Sequence, residues 1–214
     1  MKNENPVEFN KSILILLGGL MFVLIFVLIY FSIPKGNEDV KNVGTGNLPP
    51  KGNPNNPIKI IEFSDFQCPA CKASHPIIDR ILQDYQGEVV LYYRYFPLPM
   101  HENSFIAAEA AECANEQKNF WEYHDILFEN QDKLDKENLK KYAKDIELNE
   151  EQFNSCLNNE KYKDEITFDI SEGKILGIQG TPTFFINDKK VFGGNELELR
   201  RLIKEELKGG VLER

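Results

Sequence analysis

An unbroken apolar run lies near the start of the chain. From Ile13 to Ile33 no residue is charged, and Ser12 and Pro34 extend the uncharged stretch to 23 positions. At 1.5 Å per residue a helix of that length reaches roughly 34 Å, slightly more than the ~30 Å hydrocarbon core of a bilayer. A helix packed in a protein core would carry a polar stripe, and this run has none. A cleaved signal would be shorter and end on small residues, whereas Tyr30-Phe31-Ser32-Ile33-Pro34 is bulky and closed by proline. No cysteine stands directly behind the run to take a lipid. The pattern therefore predicts an uncleaved signal-anchor, a single transmembrane helix over residues 12–33. Lys2 and Lys11 on one side balance Lys35 and Lys41 on the other, so the basic residues do not set its orientation.

The pattern changes at Pro34. Residues 34–57 hold five Pro, four Gly and six Asn among 24 positions and almost no large apolar side chain. A segment of this kind has too little to bury to offset its ordering entropy, so it is expected to be a flexible linker. Regular patterning begins at Ile58. Ile58-Lys59-Ile60-Ile61-Glu62-Phe63 reads as a strand, Cys68 to Tyr85 as a helix stopped by Gly87, and Val89 to Tyr95 as a second strand. From His101 to about Leu176 the spacing turns helical, in pieces divided by Asn- and Asp-rich breaks. Thr183 to Ile186 returns to strand, the turn Asn187-Asp188 leads into Lys190-Val191-Phe192, and an amphipathic helix runs from Glu196 to Leu207. No internal repeat is visible. Residues 58–208 form one folded domain, with a helical insertion at about 99–176 and a short tail at 209–214.

Composition narrows the function classes. The chain has 214 residues, enough for a real core without metal or disulfide staples, and an ordinary 42% hydrophobic content. With 34 acidic against 25 basic residues and a net charge of −9, it lacks the basic field that nucleic-acid binding needs.

The candidate chemistry lies at Cys68-Pro69-Ala70-Cys71, just after the first strand. Two residues between cysteines on a first helical turn bring the sulfurs within bonding reach, with the first nearer solvent and the second deeper. The unpaired N–H groups and partial positive charge of a helix N-terminus favour a thiolate at Cys68, the attacking species in disulfide exchange. Pro69 costs little there, because a first-turn N–H has no helical partner. C-x-x-C is also half of a tetrahedral zinc site. The other half should be a second close pair, but Cys113 and Cys156 stand far apart, and His75, His101 and His124 show no ligand spacing. Redox chemistry is the favoured reading, and no metal site is expected.

Two further features bear on the redox reading. Thr181-Pro182 precedes the third strand, where a proline is either a rigid trans turn or, in ~5–6% of folded X–Pro bonds, cis. Glu62 is the one charged residue among Ile60, Ile61 and Phe63. In a sheet covered on both faces it is either a buried acid with a raised pKa, able to exchange protons with Cys71, or a solvated edge residue.

The run IIEFSDFQCPACKASHP, followed by GIQGTPTFFIN, resembles the thioredoxin fold, and specifically the DsbA-like thiol–disulfide oxidoreductases with an inserted helical domain. RYFPLPMH and AAECANEQKNFWEYHDILFENQ fit the same family, so the likeness covers residues 58–208. It implies that Cys68 is the nucleophile, Cys71 the resolving cysteine, Glu62 the buried acid, and Pro182 a cis residue packed on the cysteine pair. It further implies that Pro76 kinks the active-site helix. If the Thr181–Pro182 bond is cis, the Thr181 backbone turns toward the cysteine pair with its N–H and C=O free, and an extended substrate segment is expected to pair there as an added strand. The chain departs from the strong oxidases of the family in having Pro-Ala between the cysteines and Thr before the proline. Cys113 and Cys156 sit on apolar helical faces, as two buried free thiols or, in an oxidising compartment, as a structural disulfide of the kind known in relatives. The three histidines are expected to pack or cap, and Trp121 to lie in the core.

The expectation is a membrane-anchored thiol–disulfide oxidoreductase: an α/β thioredoxin-like domain behind one transmembrane helix, needing no cofactor. Disulfide chemistry places the domain outside the membrane and residues 1–11 in the cytoplasm. Its partners would be exported proteins bearing thiols and a membrane protein that reoxidises the pair, and it would act as a monomer. The rivals are a reductase or isomerase of the same fold and a non-enzymatic chaperone or scaffold. Loss of Cys68 or Cys71 would mark the last, and both are present.

Overall fold

A computed structural model describes residues 19–26 and 43–212. Residues 19–26 are helical with exposed side chains and belong to a unit separate from the rest. Among the described residues no helix is long and apolar enough to cross a membrane. Most of the expected anchor, the N-terminal 11 residues and the first part of the expected linker lie outside the described residues.

The second unit is built on a four-stranded sheet. β1 (Ile58–Ser64), α1 (Pro69–Asp84) and β2 (Val89–Tyr95) make a β-α-β unit whose strands pair in parallel from Ile58↔Val89 to Ser64↔Tyr95. Five helices follow: α2 (Ser104–Asn115), α3 (Phe120–Glu129), α4 (Lys136–Asp145), α5 (Glu150–Asn158) and α6 (Lys163–Ile175). The chain then returns through β3 (Thr183–Ile186), β4 (Lys189–Phe192) and α7 (Glu196–Leu212). The strand order is β2-β1-β3-β4, with β3 antiparallel to both neighbours. This is a thioredoxin-like α/β fold with a helical insertion between β2 and β3.

The local signals explain the elements. β1 lies between β2 and β3 with six of its seven residues buried, which is why it reads as a nearly continuous apolar run rather than an alternating one. The breaks in the helical block hold side-chain caps. Asp135 accepts from the Asn138 N–H at the start of α4, and Asn149 accepts from the Gln152 N–H at the start of α5. Asn187, at φ 51°, supplies the positive angle of the two-residue turn between β3 and β4. Beyond Leu207, where the last helix was expected to end, α7 continues to Leu212 and takes in part of the expected tail.

Side chains alternate between two covered faces. Ile60, Phe184 and Ile186 meet Ile78 and Ile81 of α1 and Leu199, Leu202 and Ile203 of α7. On the other face Ile61, Phe63 and Phe185 meet Phe96 and Ile178, with Ile170 of α6 against them. The space at Gly173 of α6 is taken by Phe96, so a Cβ there would lie 2.6 Å from its ring. A third cluster fills the insertion and joins it to the sheet through Phe66, Cys68, Cys71, Tyr93 and Tyr95.

Residues 43–57 differ from the expected flexible linker. Leu48 is buried in the core of the insertion. Lys51 exchanges both backbone hydrogen bonds with Leu91, at 2.9 and 3.0 Å, and so covers the open edge of β2. Trp121 Nε1 donates to the Pro49 carbonyl at 3.0 Å, and Arg94 Nη1 donates to the Gly44 carbonyl at 2.6 Å. Arg94 is itself buried, held by Asp169 and Glu172 of α6. The segment was expected to stay free because it has few apolar side chains. It docks mainly through backbone groups offered to a strand edge and to buried donors, which composition does not register.

Candidate active site

The site begins with the loop between β1 and α1. Asp65 is fully buried at the side chain and organises two loops at once. Its Oδ1 accepts from the Gln67 N–H at 2.7 Å, while Oδ2 accepts from the Leu98 N–H at 2.8 Å and lies 2.7 Å from His101 Nδ1. The Gln67 side chain accepts from the Asn103 N–H at 2.7 Å. From the insertion, Gln131 Nε2 donates to the Phe66 and Cys68 carbonyls, each at 2.8 Å. The turn that presents the cysteines is thus fixed from three directions.

Cys68 stands at the N-cap of α1 in extended backbone geometry, with Pro69 as the first helical residue. Both Cys68 and Cys71 are free thiols. Cys68 is more covered than its helix-end position suggests, with 6% of its surface exposed, and Cys71 has none. The pair is electrostatically unequal. Cys68 is drawn down to about 5, first by hydrogen bonding from Cys71, against the opposing effect of burial, and further by the Ala70 and Cys71 N–H groups at the helix start. Burial pushes the Cys71 thiol well up, and a negative sulfur at Cys68 pushes it further. The arrangement sets one sulfur drawn toward the thiolate beside one thiol that keeps its proton.

Glu62 lies under this pair. It is 4% exposed and shares its sheet face with Ile60 and with Tyr93, its neighbour on β2. Burial raises its carboxyl to about 7, partly offset by the nearby Ser64 hydroxyl and by His75. Its charge in turn raises Cys71, so ionisation of the two groups is mutually opposed. Near neutrality the proton therefore stays on the reduced Cys71 thiol, while Glu62 is partly ionised.

The second wall of the site comes from the start of β3. The Thr181–Pro182 peptide bond is cis. The Cys68 Sγ lies 3.4 Å from the Thr181 carbonyl oxygen and donates to it only when protonated, so that carbonyl faces the cysteine pair. The loop is held by Thr183 Oγ1 donating to the Gly180 carbonyl at 2.7 Å and by the Gly193 N–H donating to the Pro182 carbonyl at 2.8 Å. Phe192, at the end of β4, is 69% exposed and packs against Gly180, leaving an apolar surface beside the loop.

The remaining candidate residues fall in three places. Cys113 of α2 and Cys156 of α5 are joined by a disulfide inside the insertion. His101 braces Asp65. His75 of α1 and His124 of α3 come together at one carboxylate, Asp125, although they lie far apart in sequence. Their separation along the chain concealed this pairing. Asp65 and Gln131 carried no signal of their own in the sequence, because their partners are loops and carbonyls fixed only in the fold.

The same architecture occurs in known proteins. A family model described as Thioredoxin matches residues 45–205. The Na(+)/H(+) antiporter NhaA 3 of Salinispora tropica is 36% identical over 143 residues, 66% of this chain and 22% of the antiporter. The chain therefore spans about a fifth of the length of that relative. The probable disulfide bond formation protein D of Bacillus anthracis is 27% identical over 225 residues, covering 97% of this chain and 100% of that protein. The crystal structure of oxidised BdbD from Bacillus subtilis superposes with a TM-score of 0.70 at 27% identity, over 80% of this chain and 100% of the other. With that family model spanning most of its length, the chain belongs to the thioredoxin family.

Proposed function

We propose that the chain is a DsbA-like thiol–disulfide oxidoreductase working through Cys68 and Cys71, and that its apolar N-terminal run anchors it to a membrane with the domain outside. The observation that carries this reading is the unequal thiol pair at the start of α1, one sulfur drawn down to about 5 and the other pushed up. In the oxidising direction a substrate thiolate attacks the Cys68 sulfur of the Cys68–Cys71 disulfide, and Cys71 leaves and takes up a proton. Glu62, poised at about 7, is the group placed to supply it. The second substrate thiolate then attacks its own mixed disulfide, releasing Cys68 as a stable thiolate. Two electrons have passed from substrate to enzyme. Cys71 holds the proton that Glu62 gave up; the substrate thiols lost theirs on ionising, and one of these restores Glu62. No cofactor enters.

Stabilising the Cys68 thiolate stabilises the reduced enzyme, which makes the disulfide form the better oxidant. That favours the oxidase over the reductase. The Bacillus anthracis relative, named for disulfide bond formation, supports the same direction. Substrates would be exported proteins with cysteine pairs, and reoxidation would fall to a membrane protein. A potential against glutathione more oxidising than about −200 mV supports the oxidase, and one near about −270 mV a reductase. Topology is tested by adding protease to spheroplasts. Release of the domain supports the orientation, and full protection behind a sealed membrane refutes it.

A further inference from the structure

Away from the cysteine pair, three ligand-type side chains on two helices converge, and a fourth, Asp79, stands beside one of them. His75 and Asp79 stand one turn apart on α1, and His124 and Asp125 adjoin on α3. His75 Nε2 lies 3.0 Å from Asp125 Oδ1 and 3.7 Å from Asp79 Oδ2, and His124 Nδ1 lies 2.8 Å from the same Asp125 oxygen. The donor atoms of His75, His124 and Asp125 all fall within 4.8 Å of one another. Ligands bound tetrahedrally at ~2.0–2.1 Å stand about 3.3 Å apart, so these separations bracket what a zinc-sized ion needs. Two imidazoles and two carboxylates also suit a divalent transition metal in charge and in donor type.

We propose that His75, His124 and Asp125, with Asp79 as the fourth donor, form a binding site for a divalent transition-metal ion of the zinc type. The site is preorganised on its buried side. The His124 ring is wedged among Phe66, Tyr93, Phe120, Trp121 and Phe128, at centroid distances of 4.9–5.8 Å, so its nitrogen is aimed before any ion arrives. Its other side is open, with the Asp125 side chain 41% exposed and that of His75 22%.

Lys51 now supplies the positive charge. Its Nζ lies 3.0 Å from Asp79 Oδ1 and 4.0 Å from Asp125 Oδ2, and rests over the Trp121 ring. Without metal the cluster is a histidine–carboxylate network neutralised by this ammonium. An entering ion displaces the protons between the imidazoles and Asp125 and drives Lys51 to solvent, which its 30% exposure and long stem permit. The bound ion would tie α1, one turn past Cys71, to α3 of the insertion. It stands whether or not the redox reading is right.

The test uses tag-free full-length protein with all four cysteines oxidised, so that no thiol chelates the ion. Zinc chloride alone is titrated by calorimetry, and cobalt(II) is used for its visible absorption. One saturable equivalent is expected, with a tetrahedral cobalt spectrum. His75→Ala and Asp125→Asn should each weaken binding more than about tenfold. Lys51→Met, which removes the competing charge, should strengthen it. Melting curves without metal establish that the variants fold, and the near-isosteric Asp125→Asn carries the test if His75→Ala does not. Absence of saturable binding, or equal affinity in wild type and in the folded variants at positions 75 and 125, would overturn the site.

Discussion

The Cys68 sulfur lies 3.4 Å from the Thr181 carbonyl oxygen, 113 residues further along the chain. Antiparallel pairing of β1 with β3, ending at Phe63↔Thr183, makes this contact. It sets the head of the active-site helix against the loop that opens β3. If the pair exchanges disulfides, an incoming sulfur is expected to pass between Cys68 and this loop, where the Thr181 main chain faces it as a strand edge.

The inequality of the two thiols is open to direct titration. With Cys68 at about 5, its rate of alkylation should rise through that pH and level off above it, while Cys71 stays unmodified near neutrality. Cys71→Ala removes the largest lowering contribution and should move the midpoint upward. A wild-type midpoint near the ordinary thiol value of about 8.5 would contradict the assignment.

Glu62 links the site to stability. Its carboxyl is raised from 4.5 to about 7, so the folded protein binds the proton more tightly than the unfolded chain. The cost of this burial is absent below pH 4.5, grows as pH rises, and is complete above about 7. Glu62→Gln should therefore stabilise the protein at pH 8 by on the order of 3 kcal/mol and change little at pH 4. The same variant should flatten the pH dependence of turnover near 7. Denaturant melts at the two pH values check the first part, and an equal effect at both would contradict it.

The Cys113–Cys156 bridge closes 43 residues within the insertion. Replacing both by Ala should lower stability by up to about 4 kcal/mol on the chain-entropy account. The alkylation midpoint of Cys68 should not move, because the bridge joins α2 and α5. A shifted midpoint would show that the insertion tunes the thiol.

The docked segment before β1 should contribute measurable stability. Leu48→Ala removes a buried side chain from the core of the insertion and should cost about 2–4 kcal/mol. A chain beginning at residue 58 should melt below one beginning at residue 43, since it also exposes the β2 edge at Leu91. Equal melting temperatures would mean that the segment is only loosely held.

Much of this was legible beforehand where the signal is local. The order of elements followed from apolar spacing, and Cys68-Pro69-Ala70-Cys71 stood out because its chemistry lies within one helical turn. What escaped depends on residues distant in sequence. Asp65 and Gln131 hold the cysteine loop through groups 33 to 65 residues away, and nothing in their own neighbourhoods marks them. Residues 43–57 looked free because their docking groups are carbonyls and N–H groups. His75 and His124 looked unrelated until α1 and α3 packed side by side.

Trapping the covalent intermediate decides whether Cys68 attacks and Cys71 resolves. Cys71→Ala and Cys68→Ala proteins, each with one thiol left in the pair, are mixed with an unfolded protein carrying a disulfide, and the adducts are mapped by mass spectrometry. A stable mixed disulfide is expected at Cys68 in the Cys71→Ala protein and none at Cys71 in the Cys68→Ala protein. Adducts at Cys71, or equal trapping by both variants, would contradict it.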